Sequence, residues 1–195
     1  MSKLPRRVAD TKIARISSVG VGAELIRTLE QRGVMRPLID ECRSLDWLAT
    51  AKYQSEAHLR ECIATGEALR AEHAALFEQV EAAWATATID DCRRELGILL
   101  LAFPGKSAAD LSTFAHIALA DVVDVRPTRL ILCAACRRLR QTLKFQPALS
   151  ELLAALSSQT NDSELRWIRH AGEHIAAVRD LVDMAHERLA IGDHY

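Results

Sequence analysis

The sequence predicts an all-α protein: a compact four-helix unit flanked by two long, coiled-coil-like helices that pair antiparallel. Three observations carry this. The chain is 49% hydrophobic but only 5% aromatic, so alanine and leucine must fill the core, and both are strong helix formers. Runs of Val, Ile, Tyr and Phe that would mark strands are almost absent. Apolar residues recur in steps of three and four, the helical period.

A chain of 195 residues suits one domain or two small ones. The formal charge of −1 gives no general attraction to nucleic acid or anionic lipid. The longest apolar run, residues 98–103, is far too short to span a bilayer. The basic start lacks an apolar stretch, so it does not read as a secretory signal, and Asp10 argues against a mitochondrial one. Five cysteines, an odd number, fit reduced thiols in the cytoplasm rather than a disulfide framework.

Residues 1–18 carry Lys3, Arg6, Arg7, Lys12 and Arg15 against Asp10, and read as a basic, partly disordered arm that is either solvated or in contact with phosphates. Residues 19–50 hold short N-terminal helices. One covers 21–32 and is ended by Gly33, the residue that tolerates a left-handed backbone. The next starts at Pro37, runs to about Ala49, and aligns Leu38, Cys42, Leu45 and Leu48, with Trp47 capping the same core.

Residues 51–87 read as one long helix. Leu59, Cys62, Gly66, Leu69, His73, Leu76, Val80 and Ala83 form a heptad-like seam. Its other face is acidic, with six acids against Arg60 and Arg70 between positions 56 and 81. Residues 160–191 read as its counterpart. Asn161, Asp162 or Ser163 caps the start, Gly192 stops the end, and Leu165, Ile168, Gly172, Ile175, Val178, Val182, Ala185 and Leu189 form the seam. At 1.5 Å per residue each long helix should reach about 45 Å. Gly66 and Gly172 would let the two backbones approach closely.

Between them, residues 88–157 form the four-helix unit, broken at Phe103-Pro104-Gly105, at positions 124–127 and at Phe145-Gln146-Pro147. Thr88 or Asp90 caps the first helix. Ser107 and Asp110 have capping-box spacing for the second. Pro127 and Pro147 sit near the first turns of the third and fourth, and Glu151 favours the positive end of the fourth. The four helices should each be about 10–17 residues long, with Phe103 and Phe145 anchoring junctions in the core.

Candidate chemistry centres on the third of these helices. Positions 125–150 hold no acid, while Arg126, Arg129, Arg137, Arg138, Arg140 and Lys144 are basic. At 100° per residue all but Arg138 fall within a sector of roughly 80°. Such a one-signed stripe is a solvated face partly neutralised by acids of the long helices, a docking face for an acidic protein, or a nucleic-acid contact. Aromatics for base stacking are scarce, which ranks nucleic acid below protein. Cys133 and Cys136 form a CxxC without the second ligand pair that zinc needs. Cys136 should be core, while Cys133, projecting toward the arginines, should be more exposed with its thiolate favoured. His170, Glu173 and His174 match the HxxEH of inverted zinc peptidases, but a third ligand is lacking, so these residues read as a helix-surface coincidence. No phosphate-cradling loop, nucleophile elbow or paired-acid motif is present, so no catalytic residue, cofactor or motor activity is expected.

The segment Leu99-Leu100-Leu101-Ala102-Phe103-Pro104, a helix start near Asp110, then Gln141-Thr142-Leu143-Lys144-Phe145-Gln146-Pro147 and Ala148-Leu149-Ser150-Glu151-Leu152-Leu153 together resemble the folded domain of phage replicative helicase loader/inhibitor proteins. The likeness covers about 60 of the 195 residues. In that family a flexible C-terminal tail engages the helicase, whereas here the chain continues into a helix, so the family's mode of engagement does not carry over. The resemblance implies a non-enzymatic, phage-type replication accessory protein contacting a helicase or ATPase through the stripe of Arg126, Arg129, Arg137, Arg140 and Lys144 or through the long helices. The alternatives are a DNA-binding or regulatory module using the same stripe, and a coiled-coil protein that forms homo-oligomers through its long helices. A metal hydrolase using His170, Glu173 and His174 is the remaining reading.

Overall fold

The computed structural model describes residues 22–51, 54–103 and 108–192, with backbone only for 108–110. The basic arm, the Pro104-Gly105 turn and the side chains of Ser107 and Asp110 lie outside the described residues. Among the described residues the chain is helical throughout: α1 (22–30), α2 (Arg32–Thr50), α3 (Glu56–Glu72), α4 (Ala74–Trp84), α5 (Ile89–Leu101), α6 (Ala108–Val125), α7 (Arg129–Thr142), α8 (Leu149–Leu156) and α9 (Ser163–Ile191). The described residues form no strand, only one antiparallel bridge between Thr86 and Thr128, which ties the α4–α5 link to the turn before α7. No described helix is long and apolar enough to cross a membrane.

Two helices organise the packing. α9 touches α2, α3, α4 and α7; α7 touches α4, α5, α8 and α9. α6 is outermost, against α5 and α8. The sequence gives α9 this place because its seam repeats without a break: Leu165, Ile168, Ala171, Ile175, Val178, Val182 and Ala185 are all buried. Its ends are set by local chemistry. Asp162 accepts the Glu164 and Leu165 N–H groups at 2.9 and 3.0 Å, and Gly192 leaves the helix at φ 70°. Trp167 donates its indole N–H to the Leu29 carbonyl at 2.6 Å, fastening α1 to the start of α9.

The long pair exists and runs antiparallel: Glu67 of α3 meets His186, while Trp84 of α4 meets Gly172. The first member, however, is two helices. His73, at φ −115° and ψ 31°, closes α3 and opens α4. In a straight helix Arg70 and Glu81 would stand about 16 Å apart along the axis, yet their side chains meet at 3.3 Å. No helix breaker occupies positions 70–76, so tertiary packing decides the bend: it turns Phe77 and Val80 into the core.

Other expectations need correction. Gly33 does not stop a helix. The break falls at Gln31, and Gly33 lies in the first turn of α2 without the left-handed conformation. Pro37 is inside α2 rather than at its start, because burial of Met35, Leu38, Ile39 and Cys42 holds the helix through the missing N–H. Trp47 is 59% exposed. It lies about 200° around the helix from buried Leu45 and packs edge-on against His58. α6 has 18 residues and α8 only 8, outside the expected lengths. Phe103 is buried as expected, but Phe145 is 82% exposed. Pro147, not Phe145, is the buried residue of that turn.

Candidate functional site

The basic stripe is built on α7, which the Thr128 side chain caps by accepting the Ile131 N–H at 3.3 Å. The helix spans Arg129–Thr142, so Arg126 and Lys144 are not on it. Arg126 sits in the preceding turn at φ 51°, and Lys144 lies past the C-cap Leu143. Both are exposed. The helical wheel that placed them in one sector does not apply where the backbone is not helical. Of the stripe, α7 itself carries Arg129, Arg137 and Arg140.

Two of these three are held by acids. Arg129 Nε meets Asp91 of α5 at 2.9 Å, and Arg137 meets Glu30 of α1 at 2.7 Å. Arg138, on the other side, binds the cap residue Asp162 at 2.8 Å. The neutralising acids therefore come mainly from α1 and α5, not from the long-helix faces. Arg140 differs. Its Nη1 is buried and has no hydrogen-bond partner among the described residues.

α5 lies parallel to α7 and supplies the facing charges. Thr88 and Asp91 form a reciprocal cap: the Asp91 N–H reaches the Thr88 hydroxyl at 3.2 Å, and the Thr88 N–H reaches the Asp91 carboxylate at 3.0 Å. The same carboxylate takes Arg129 and, at 3.0 Å, Arg94. Burial disfavours its charge, but the Thr88 donors and the Arg129 guanidinium outweigh that and hold Asp91 down at about 2. Glu95, one turn on, is buried and meets Arg94 at 3.3 Å.

Cys133 and Cys136 face this cluster. Cys136 is fully buried, as expected. Cys133 is not activated: burial, and then the Glu95 carboxylate, push its thiol up to about 12, while Arg94 pulls the other way and loses. The expected thiolate is thereby overturned, since acids and burial outweigh the arginines. Burial also raises Cys136 and Cys92. All five cysteines are free.

His170 and His174 stack edge to face on α9 with ring centroids 4.5 Å apart, and Glu173 is exposed. Burial, and then His170, lower the His174 pKa. Among the described residues no group of three or more potential ligands gathers to hold a metal ion.

A cleft that periodicity did not signal opens between α1, α4, α5 and α7. It has about 400 Å³ of space over Leu25, Ile26, Ala83 and Leu130, with Asp91, Arg94 and Arg129 along one edge. A smaller cavity of about 110 Å³ adjoins it, sharing Ile26, Arg94 and Cys133 and extending to Arg137 and Arg140. Sequence signals for it exist only in retrospect: small Ala82 and Ala83 on α4 leave room opposite the arginines of α7. No family model, curated protein or solved structure matches the chain.

Proposed function

We propose that this protein is a non-enzymatic accessory factor of the cytoplasm that works by contact with a protein partner, a replicative helicase or ATPase of the phage-type replication class. The observation that carries the reading is Phe145. It stands 82% exposed in the Lys144-Phe145-Gln146-Pro147 turn, the segment through which the chain resembles helicase loaders. An aromatic ring left in water beside a lysine is a natural anchor for an apolar, acidic groove. Leu101, 87% exposed at the C-terminal end of α5, is a second large apolar side chain left in water.

DNA binding by the stripe is less well supported, because Arg129 and Arg137 would have to leave Asp91 and Glu30 to meet phosphates. Oligomerisation through the long helices would need a surface other than their seams, which are filled within one chain.

The test is titration of fluorescently labelled full chain with a purified hexameric replicative helicase, read by anisotropy. Saturable binding is expected, and Phe145→Ala should weaken it by about thirtyfold, the size of a hot-spot loss of about 2 kcal/mol. Circular dichroism of that variant should match the parent. Absence of binding, or binding indifferent to Phe145→Ala and Leu101→Ser, would overturn the proposal.

A further inference from the structure

The cleft beneath α1 carries a second inference, independent of the helicase reading. Its space of about 400 Å³ lies over the apolar Leu25, Ile26, Ala83 and Leu130. Its charged edge is self-contained: Asp91 takes both Arg94 and Arg129, so no ion there is left for an occupant. The mouth differs. Glu78 stands exposed there beside Gln79 and Ala82, and has no ion pair among the described residues. A fitting occupant is therefore apolar in body, with a cation at its edge. A segment of that composition starts at the cleft itself. Gly22, the first described residue, lines it. Residues 11–21, which precede it and lie outside the described residues, read Thr11-Lys12-Ile13-Ala14-Arg15-Ile16-Ser17-Ser18-Val19-Gly20-Val21. They include no acid, repeat Ile13, Ile16 and Val19 at every third position, and carry Lys12 and Arg15.

We propose that the cleft is covered by the chain's own basic arm, with Ile16 and Val19 seated over Ile26, Ala83 and Leu130 and Arg15 facing Glu78. Reach permits it. At no more than about 3.5 Å per residue, Val19 stands within roughly 10 Å of Gly22 and Ile16 within about 20 Å. A tether this short holds the arm at an effective concentration on the order of 1 mM, so weak contacts suffice. Apolar burial supplies the affinity. The pair at the exposed rim adds little energy and sets which way the arm lies. The arm is then an intramolecular plug, and the cleft opens when something else captures the arm.

The experiment is disulfide trapping in the full chain. One protein carries Ser17→Cys with Gln79→Cys at the mouth, and a second carries Ser17→Cys with Gln31→Cys. Gln31 is exposed beyond the end of α1, about 14 Å from Gly22 along the helix axis, so an undocked arm reaches it as well. The five native thiols are buried or half-buried with raised pKa values, and compete slowly. In a glutathione buffer, the bond from position 17 to position 79 should form at least about tenfold faster than that to position 31, read by peptide mass mapping. Val19→Ser should cut this preference about tenfold. Glu78→Arg should lower it more at low salt than at high salt. Equal rates at the two positions would overturn the proposal, as would a preference that survives both Val19→Ser and Glu78→Arg. A bond that joins two chains would seat a second copy's arm in the cleft and overturn it too.

Discussion

Asp91 is where several stabilising interactions meet. It closes the cap of α5, takes Arg129 across to α7 and Arg94 on its own helix. Its pKa is held near 2 in the folded chain, below the ordinary aspartate value. A depressed carboxylate contributes stability that is fully present above the unfolded pKa of about 4 and fades as pH falls toward 2. The shift corresponds to about 2 kcal/mol. Asp91→Asn should therefore lower the unfolding free energy by about that much at pH 7, and the two proteins should converge near pH 2. Urea unfolding at several pH values checks this; a gap independent of pH would assign the loss to geometry rather than charge. Residue-level reading narrowed the caps to Thr88 or Asp90 and to Asn161, Asp162 or Ser163, because capping is a local code; the structure selects Thr88 and Asp162. It misplaced Phe145 and Trp47, because whether an aromatic ring finds a core depends on what lies opposite.

Among the elements, glycines separate local from tertiary control. Gly66 in α3 faces α9 so closely that an added Cβ would collide with Val182. Gly172 in α9 would meet the Trp84 ring and Leu130 at 2.7 Å. Gly97 in α5 has nothing within 4 Å of such an atom. Helix propensity alone favours alanine at all three by up to about 1 kcal/mol. Packing should reverse the sign at two of them. Gly97→Ala is expected to stabilise by about 0.5–1 kcal/mol, while Gly66→Ala should destabilise by about 1–3 kcal/mol through overpacking. Chemical denaturation of the two variants decides it, and stabilisation by both would mean α3 and α9 are not seated this closely. The seam residues at these contacts were legible as a period of three and four. The bend at His73 was not, since a straight and a bent helix share that period.

Over the whole molecule, the four helices that punctuation marks off do not stand apart. α7 packs on α4 and α9 as well as on α5 and α8, so its buried Leu130, Ile131 and Leu132 belong to one continuous core. A single cooperative transition is expected. Trp47, Trp84 and Trp167 all lie outside α5–α8, on α2, α4 and α9, so tryptophan fluorescence reports on those helices and far-ultraviolet circular dichroism on all of them. The two unfolding curves in urea should superimpose. A biphasic dichroism curve with one phase silent in fluorescence would instead make residues 88–157 a separate unit.

By itself the sequence determined the helical class, most boundaries, the antiparallel long pair and most residues of both seams, but not the buried Phe77, Ala171 and Leu181 beside them. The features it determined follow from propensity, capping chemistry and a period that any local window reveals. Only the tertiary structure decided the bend at His73, which arginines are neutralised and which is left over, the protonated state of Cys133, and the cleft under α1. Each of these is fixed by groups far apart in the chain, such as Glu30 and Arg137 or Asp91 and Arg129. Charge and space at a point are sums over neighbours in three dimensions, and a helical wheel sees only one helix.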